Sequence, residues 1–87
     1  MIIDMENGTK KTISFTECRS TGYIWDFEKD QDIVNLEIKK IIPDNIGVGG
    51  SYILEVTFHA KNIGSIEFKN SRPWDEEIQE TAVVTVI

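Results

Sequence analysis

The 87-residue sequence has one cysteine, Cys18, two prolines, and no apolar run of the length that spans a bilayer. A single cysteine closes no intrachain disulfide, so the stapled secreted mini-proteins are excluded and the fold has to hold by its core. A membrane helix needs about 18 or more consecutive apolar residues. The start, Met1-Ile2-Ile3-Asp4-Met5-Glu6, has neither the basic region nor the apolar stretch of a signal peptide. Cationic side chains are also scarce: 9 Lys and Arg stand against 15 Asp and Glu, for a net charge of −6. Such a surface repels phosphate backbones and anionic lipid, so neither nucleic acid nor a membrane is an expected partner. The length predicts a single domain over 1–87 with no second lobe to close on a substrate. With one thiol and no address signal, the expectation is a monomer in a reducing, cytoplasmic or vesicular setting.

Helical periodicity is missing as well, since no window carries an i, i+3, i+4, i+7 apolar stripe over three turns. What is present is alternation. Ile13 and Phe15 alternate with Thr12, Ser14 and Thr16; Tyr23, Trp25 and Phe27 with Ile24, Asp26 and Glu28; Val34, Leu36 and Ile38 with Asn35, Glu37 and Lys39. The pattern resumes at Tyr52, Leu54, Val56 and Phe58, again at Ile66 and Phe68, and the run Thr81 to Ile87 is almost wholly β-branched. With a short first strand near Ile2 to Met5, this predicts an all-β fold: an antiparallel sandwich of about seven strands with its dry faces together and no disulfide.

In a chain of antiparallel strands, successive connections fall at alternating ends. One end receives Asn7-Gly8-Thr9, Lys29-Asp30-Gln31-Asp32 and Ala60-Lys61-Asn62, which are short polar connectors. The other receives Cys18-Arg19-Ser20-Thr21-Gly22, the stretch from Ile42 to Gly50, and Asn70-Ser71-Arg72-Pro73-Trp74-Asp75-Glu76-Glu77. This second set holds both prolines, the cysteine and an aromatic with no strand to pack in. Unusual loops gathered at one end of a rigid sandwich are where such folds carry function.

Candidate chemistry is thin. Cys18 and His59 are the sole nucleophile and base of a thiol mechanism, yet they fall at opposite ends, and a strand of eight residues spans roughly 25 Å. His59 reads as a solvated surface residue. The run Asp26 to Asp32 with Glu37 half-matches a calcium loop but has Gln31 where the sharp turn wants glycine. Asp75, Glu76 and Glu77 read as a solvated face. No enzyme, metal or cofactor is expected. Trp74, following Arg72-Pro73, is either a plug over the sandwich end or an exposed anchor, and the anchor is favoured because Trp and Arg dominate interface energies. Gly47-Val48-Gly49-Gly50 lacks the Lys-Ser/Thr of a phosphate loop and suits close backbone approach to another protein.

Taken in order, Ser20-Thr21-Gly22-Tyr23-Ile24-Trp25, Gly47-Val48-Gly49-Gly50 and Arg72-Pro73-Trp74 resemble the three loop motifs of the chagasin-type inhibitors of papain-family cysteine peptidases. The match covers the chain from about Phe15 to Ile87. The resemblance implies an immunoglobulin-like sandwich whose three loops form a wedge blocking a peptidase cleft. It further implies that the loop of Cys18, Arg19, Ser20, Thr21 and Gly22 lies over the peptidase's catalytic Cys and His. Gly47, Val48, Gly49 and Gly50 would follow one arm of the cleft, while Arg72, Pro73 and Trp74 grip the other.

The chain departs from that family in its first loop, usually Asn-Pro-Thr-Thr-Gly, where the Asn and Pro are replaced. It also has Asp75 and Glu76 after the tryptophan, in place of a small residue and glycine. Cys18, standing at the Asn position, reads as an inert loop thiol, the alternative being a mixed disulfide with the peptidase. The predicted function is reversible inhibition of a papain-family cysteine peptidase. The competing reading is an immunoglobulin-like interaction or adhesion module without inhibitory activity.

Overall fold

A computed structural model describes residues 1–18, 21–27, 32–42, 51–72, 74 and 77–87. Seven strands run in chain order: β1 (Ile2–Met5), β2 (Lys10–Cys18), β3 (Ile24–Trp25), β4 (Val34–Ile41), β5 (Ser51–Ala60), β6 (Gly64–Ser71) and β7 (Ile78–Val86). They form two sheets, one ordered β1-β7-β6-β3 and the other β2-β5-β4. The alternation has its predicted consequence on β5, where Val56, Phe58 and Ala60 are buried and the residues between them reach the surface. On β7, Ala82, Val84 and Val86 do the same.

The buried faces meet through aromatic rings. Phe15 of β2 stands edge-on to Trp25 and Phe27 of the facing layer, at centroid separations of 5.0 and 5.1 Å. Phe58 of β5 meets Phe68 of β6 at 6.1 Å. The two edge-on pairs of Phe15 add about 0.5–1.5 kcal/mol each beyond the area they bury. Phe58, Phe68, Val34 and Val56 are fully enclosed.

Two features differ from the sequence expectation. The sandwich is not wholly antiparallel: β1 pairs with β7 in parallel, Ile2 opposite Val83 and Met5 opposite Val86. The chain passes from β1 through Asn7-Gly8-Thr9 into β2 of the other sheet, with Gly8 at φ 85° to make the turn. Sheet switching therefore leaves β1 beside the last strand rather than beside its chain neighbour. The strand expected around Tyr23 to Glu28 is shorter, pairing with β6 only at Ile24 and Trp25. It is an edge strand, and its inward side chains are nonetheless buried as predicted: Tyr23, Trp25 and Phe27. On β4, an edge strand of the second sheet, the dry face fades, with Val34 enclosed but Ile38 45% exposed.

The connectors predicted for one end are laced together. The Gly8 amide donates to the Ala60 carbonyl at 3.1 Å, and the Ala60 amide to the Thr9 carbonyl at 2.9 Å. The Lys61 amide donates to the Ile33 carbonyl at 3.0 Å, and Asn62 Nδ2 to the Asp32 carbonyl at 2.6 Å.

At the opposite end the sheets are bound by a buried carboxylate. Glu17 continues the inward row of Ile13 and Phe15 on β2 and is 6% exposed. Its Oε2 accepts the Trp25 amide of the facing sheet at 2.8 Å, and its Oε1 accepts the Tyr52 hydroxyl at 2.6 Å. Hydrogen bonds to an ionised group contribute about 1.5–3 kcal/mol, and a buried donor left bare costs about 1–3 kcal/mol. Glu17→Gln, which retains a single acceptor oxygen, should therefore lower stability by about 1–3 kcal/mol in urea denaturation. Tyr52→Phe should cost less, and an unchanged Glu17→Gln midpoint would contradict the clamp.

Candidate functional site

The strand registers bring the ends of three connections together. Cys18 lies opposite Ser51, Ile41 opposite Ile53, Ile24 opposite Ser71, and Ser71 opposite Ile78. The connections 19–23, 42–50 and 72–77 thus leave from one end of the sandwich, as the alternation predicted. Of the candidate residues, Cys18, Thr21, Gly22, Arg72 and Trp74 are described. Arg19, Ser20, Gly47, Val48, Gly49, Gly50 and Pro73 lie outside the described residues.

The first loop is braced from within. Thr21 Oγ1 donates to the Cys18 carbonyl at 3.0 Å, a bond across three residues that restrains the turn where the sequence has no proline. Gly22 follows at φ 73°, a left-handed conformation that glycine adopts without steric cost. A second constraint acts on the same residue: a Cβ built on Gly22 would overlap Cη2 and Cζ2 of the Trp74 indole. The tryptophan occupies the space a side chain would need.

The third loop is tied to the first at two further points. Arg72 Nε donates to the Thr21 carbonyl at 2.9 Å. The Arg72 guanidinium also lies 4.4 Å above the Tyr23 ring, within the range of a cation–π contact. Arg72 is half-buried and engaged inside the molecule, whereas Trp74 is 69% exposed, with the Cζ2–Cη2 edge of its indole against Gly22. The reading of Trp74 as a plug in the sandwich end is excluded by that exposure.

Glu17 is the residue that motif reading passed over. The signal was in the period-2 row, because a carboxylate two positions after Phe15 falls on the dry face directly before the first loop. Its bond to the Trp25 amide fixes the strand that receives the loop, one residue beyond Ile24.

The remaining candidates stay apart. The β2–β5 register sets Lys10 opposite His59 and Ser51 opposite Cys18, so thiol and imidazole are separated by the length of β2. His59 is only partly exposed, less solvated than expected, and its Nε2 lies 3.4 Å from Glu37 Oε1. Among the described residues no group of three or more His, Cys, Asp or Glu could hold a metal ion. The half-matched calcium loop lies partly outside the described residues, at 28–31.

An immunoglobulin-like sandwich whose three longer connections leave from one end, the first and third tied to each other, defines a class of binding scaffold. The family model for chagasin family peptidase inhibitors, I42, matches residues 4–86, and the chain belongs to that family. No curated protein sequence matches it. Its fold is similar to that of a cysteine protease inhibitor, EhICP2, from Entamoeba histolytica, with a TM-score of 0.69 and 22% identity over 99% of this chain and 84% of that one. It is also similar to the solution structure of amebosin, with a TM-score of 0.63 and 19% identity over 99% of this chain and 88% of that one.

Gly22→Ala combines a collision with the indole and a left-handed backbone. It should cost about 1–3 kcal/mol of stability and push Trp74 off the first loop. Acrylamide quenching of tryptophan emission, to which the buried Trp25 contributes little, should then increase. Unchanged stability together with unchanged quenching would contradict the packing of Trp74 on Gly22.

Proposed function

We propose that the chain is a reversible, tight-binding inhibitor of papain-family cysteine peptidases, acting as one 87-residue domain whose three loops enter and block the active-site cleft. The loop of Cys18 to Gly22 is the central element, lying over the peptidase's catalytic pair. The glycine-rich loop from Gly47 to Gly50 follows one arm of the cleft, and Arg72, Pro73 and Trp74 occupy the other. Inhibition is by occlusion, with no bond made or broken.

The observation that supports this reading is the union of the first and third loops. Trp74 presents a large apolar surface while resting on Gly22, and Arg72 holds the Thr21 carbonyl. Association penalises every side chain and loop that has to be ordered on contact, so loops already fixed to one another bind at lower cost. A standard interface buries about 800 Å² on each partner, an area that three loops leaving one end of a small domain can supply. Family membership favours inhibition over a non-inhibitory interaction module.

As an exposed aromatic on one arm of the contact, Trp74 carries the energy expected of an interface anchor. Trp74→Ala should weaken inhibition of papain by about 2 kcal/mol or more, a loss of about thirtyfold in affinity. Because the side chain lies outside the core, the melting temperature should change little. A variant that inhibits as well as the parent would contradict the anchor role.

A further inference from the structure

The outer faces of a soluble sandwich are normally polar, and most outward positions here conform. On β2 they are Lys10, Thr12, Ser14 and Thr16, and on β6 they are Ser65, Glu67 and Lys69. At the loop end the outer face of the β1-β7-β6-β3 sheet changes character. Ile24 of β3 lies directly opposite Ser71 of β6, which lies directly opposite Ile78 of β7. Residues facing each other across paired strands share a face. The buried neighbour Trp25 assigns the opposite, outer face to Ile24.

This last row therefore carries two isoleucines flanking a serine, each isoleucine 47% exposed. The register shift between Asn70 and Ser71 is what brings Ile78 into the row; without the extra residue, Gln79 would stand there. A bulge at the end of a strand pair re-aims a side chain. Neither isoleucine belongs to the hydrophobic core.

The row is continuous with the candidate inhibitory loops. Ile24 follows Gly22 by two residues, Ile78 follows Trp74 by four, and Ser71 precedes Arg72. Ile24, Trp74 and Ile78 are thus three exposed large apolar side chains at one corner of the molecule. Exposed apolar surface gathered in this way marks an interaction site.

We propose that Ile24 and Ile78 form an apolar shelf beside Trp74 that docks on the surface of the target peptidase outside its cleft. The shelf extends the contact from the loops onto the sheet. The occupant is the same peptidase molecule, on an uncharged apolar strip next to the arm that receives Trp74. This proposal rests on the inhibitory reading above. A contact outside the cleft strengthens binding without touching the substrate-binding residues, and it gives selectivity between peptidases that have similar clefts but different rims.

The test is the inhibition constant of Ile24→Thr/Ile78→Thr against papain, beside that of Ile63→Thr. Threonine keeps the β-branched shape and strand propensity while removing apolar surface. Ile63 is 72% exposed in the connection between β5 and β6, at the far end. The double variant should inhibit about tenfold more weakly at an unchanged melting temperature, because the apolar surface lost from two isoleucines contributes on that scale when a partner buries it. Ile63→Thr should match the parent.

A double variant equal to the parent, where the parent inhibits, would overturn the shelf and leave the inhibitory reading standing. A parent that does not inhibit any papain-like peptidase removes both, and that failure is recognisable because no variant is needed to see it. Sedimentation velocity supplies the third outcome: a parent dimer that the double variant converts to monomer would assign the shelf to a second copy of the chain, and would overturn the proposal.

Discussion

The Trp74 indole stands where a side chain at position 22 would be, and the arrangement of the loop end depends on that substitution of space. Two requirements coincide at Gly22. Its backbone is left-handed, and the volume above its α-carbon is taken by an aromatic ring from the loop between β6 and β7. Either requirement alone favours glycine; together they couple two loops some fifty residues apart in sequence. The contact between Arg72 and the Thr21 carbonyl reinforces the coupling from the side, and Tyr23 supports the guanidinium from below. The result is an exposed tryptophan whose outer ring edge rests on Gly22. An aromatic in that condition contributes its surface to a partner without first losing the freedom of a mobile loop.

The rest of the molecule keeps that end in place. At the connector end, backbone hydrogen bonds among Gly8, Thr9, Ala60, Lys61 and Ile33 lock one set of turns to another. At the loop end, beside the contacts between the first and third loops, the equivalent task falls to a carboxylate. Glu17 reaches from β2 to the Trp25 amide on the facing sheet while accepting the Tyr52 hydroxyl from β5. A charge is an expensive group to bury, and it is tolerated where each oxygen has a partner. Lys40 completes the arrangement, with its ammonium 4.1 Å from the centre of the Tyr52 ring. The dry interior therefore ends in a polar layer directly beneath the first loop.

Much of this was legible in the chain. The strands followed from the period-2 rows, and the gathering of three unusual loops at one end followed from counting strands and alternating their connections. Glycine-tryptophan packing was not legible, because alternation says which residues point inward but not which loops touch. The exposure of Trp74 stayed open for the same reason: a tryptophan after proline in a loop has no periodic neighbour to assign its face. The parallel pairing of β1 with β7 escaped because the sequence shows where the chain turns and not which sheet it enters next. Glu17 was within reach, since its position in the row of Ile13 and Phe15 marks it as inward. A carboxylate in a dry row is read as an end to the strand unless its partners, here an amide and a phenol from two other strands, are known.

The central claim is that the loop end fills and closes a cysteine peptidase cleft. It is tested most directly by titrating active papain, at a known concentration of active sites, with the purified chain and following residual turnover of a small substrate. The account predicts a linear fall to zero activity at one chain per active site, competitive with substrate and reversible on dilution. Full activity in the presence of tens of micromolar chain, across several papain-like peptidases, would contradict it.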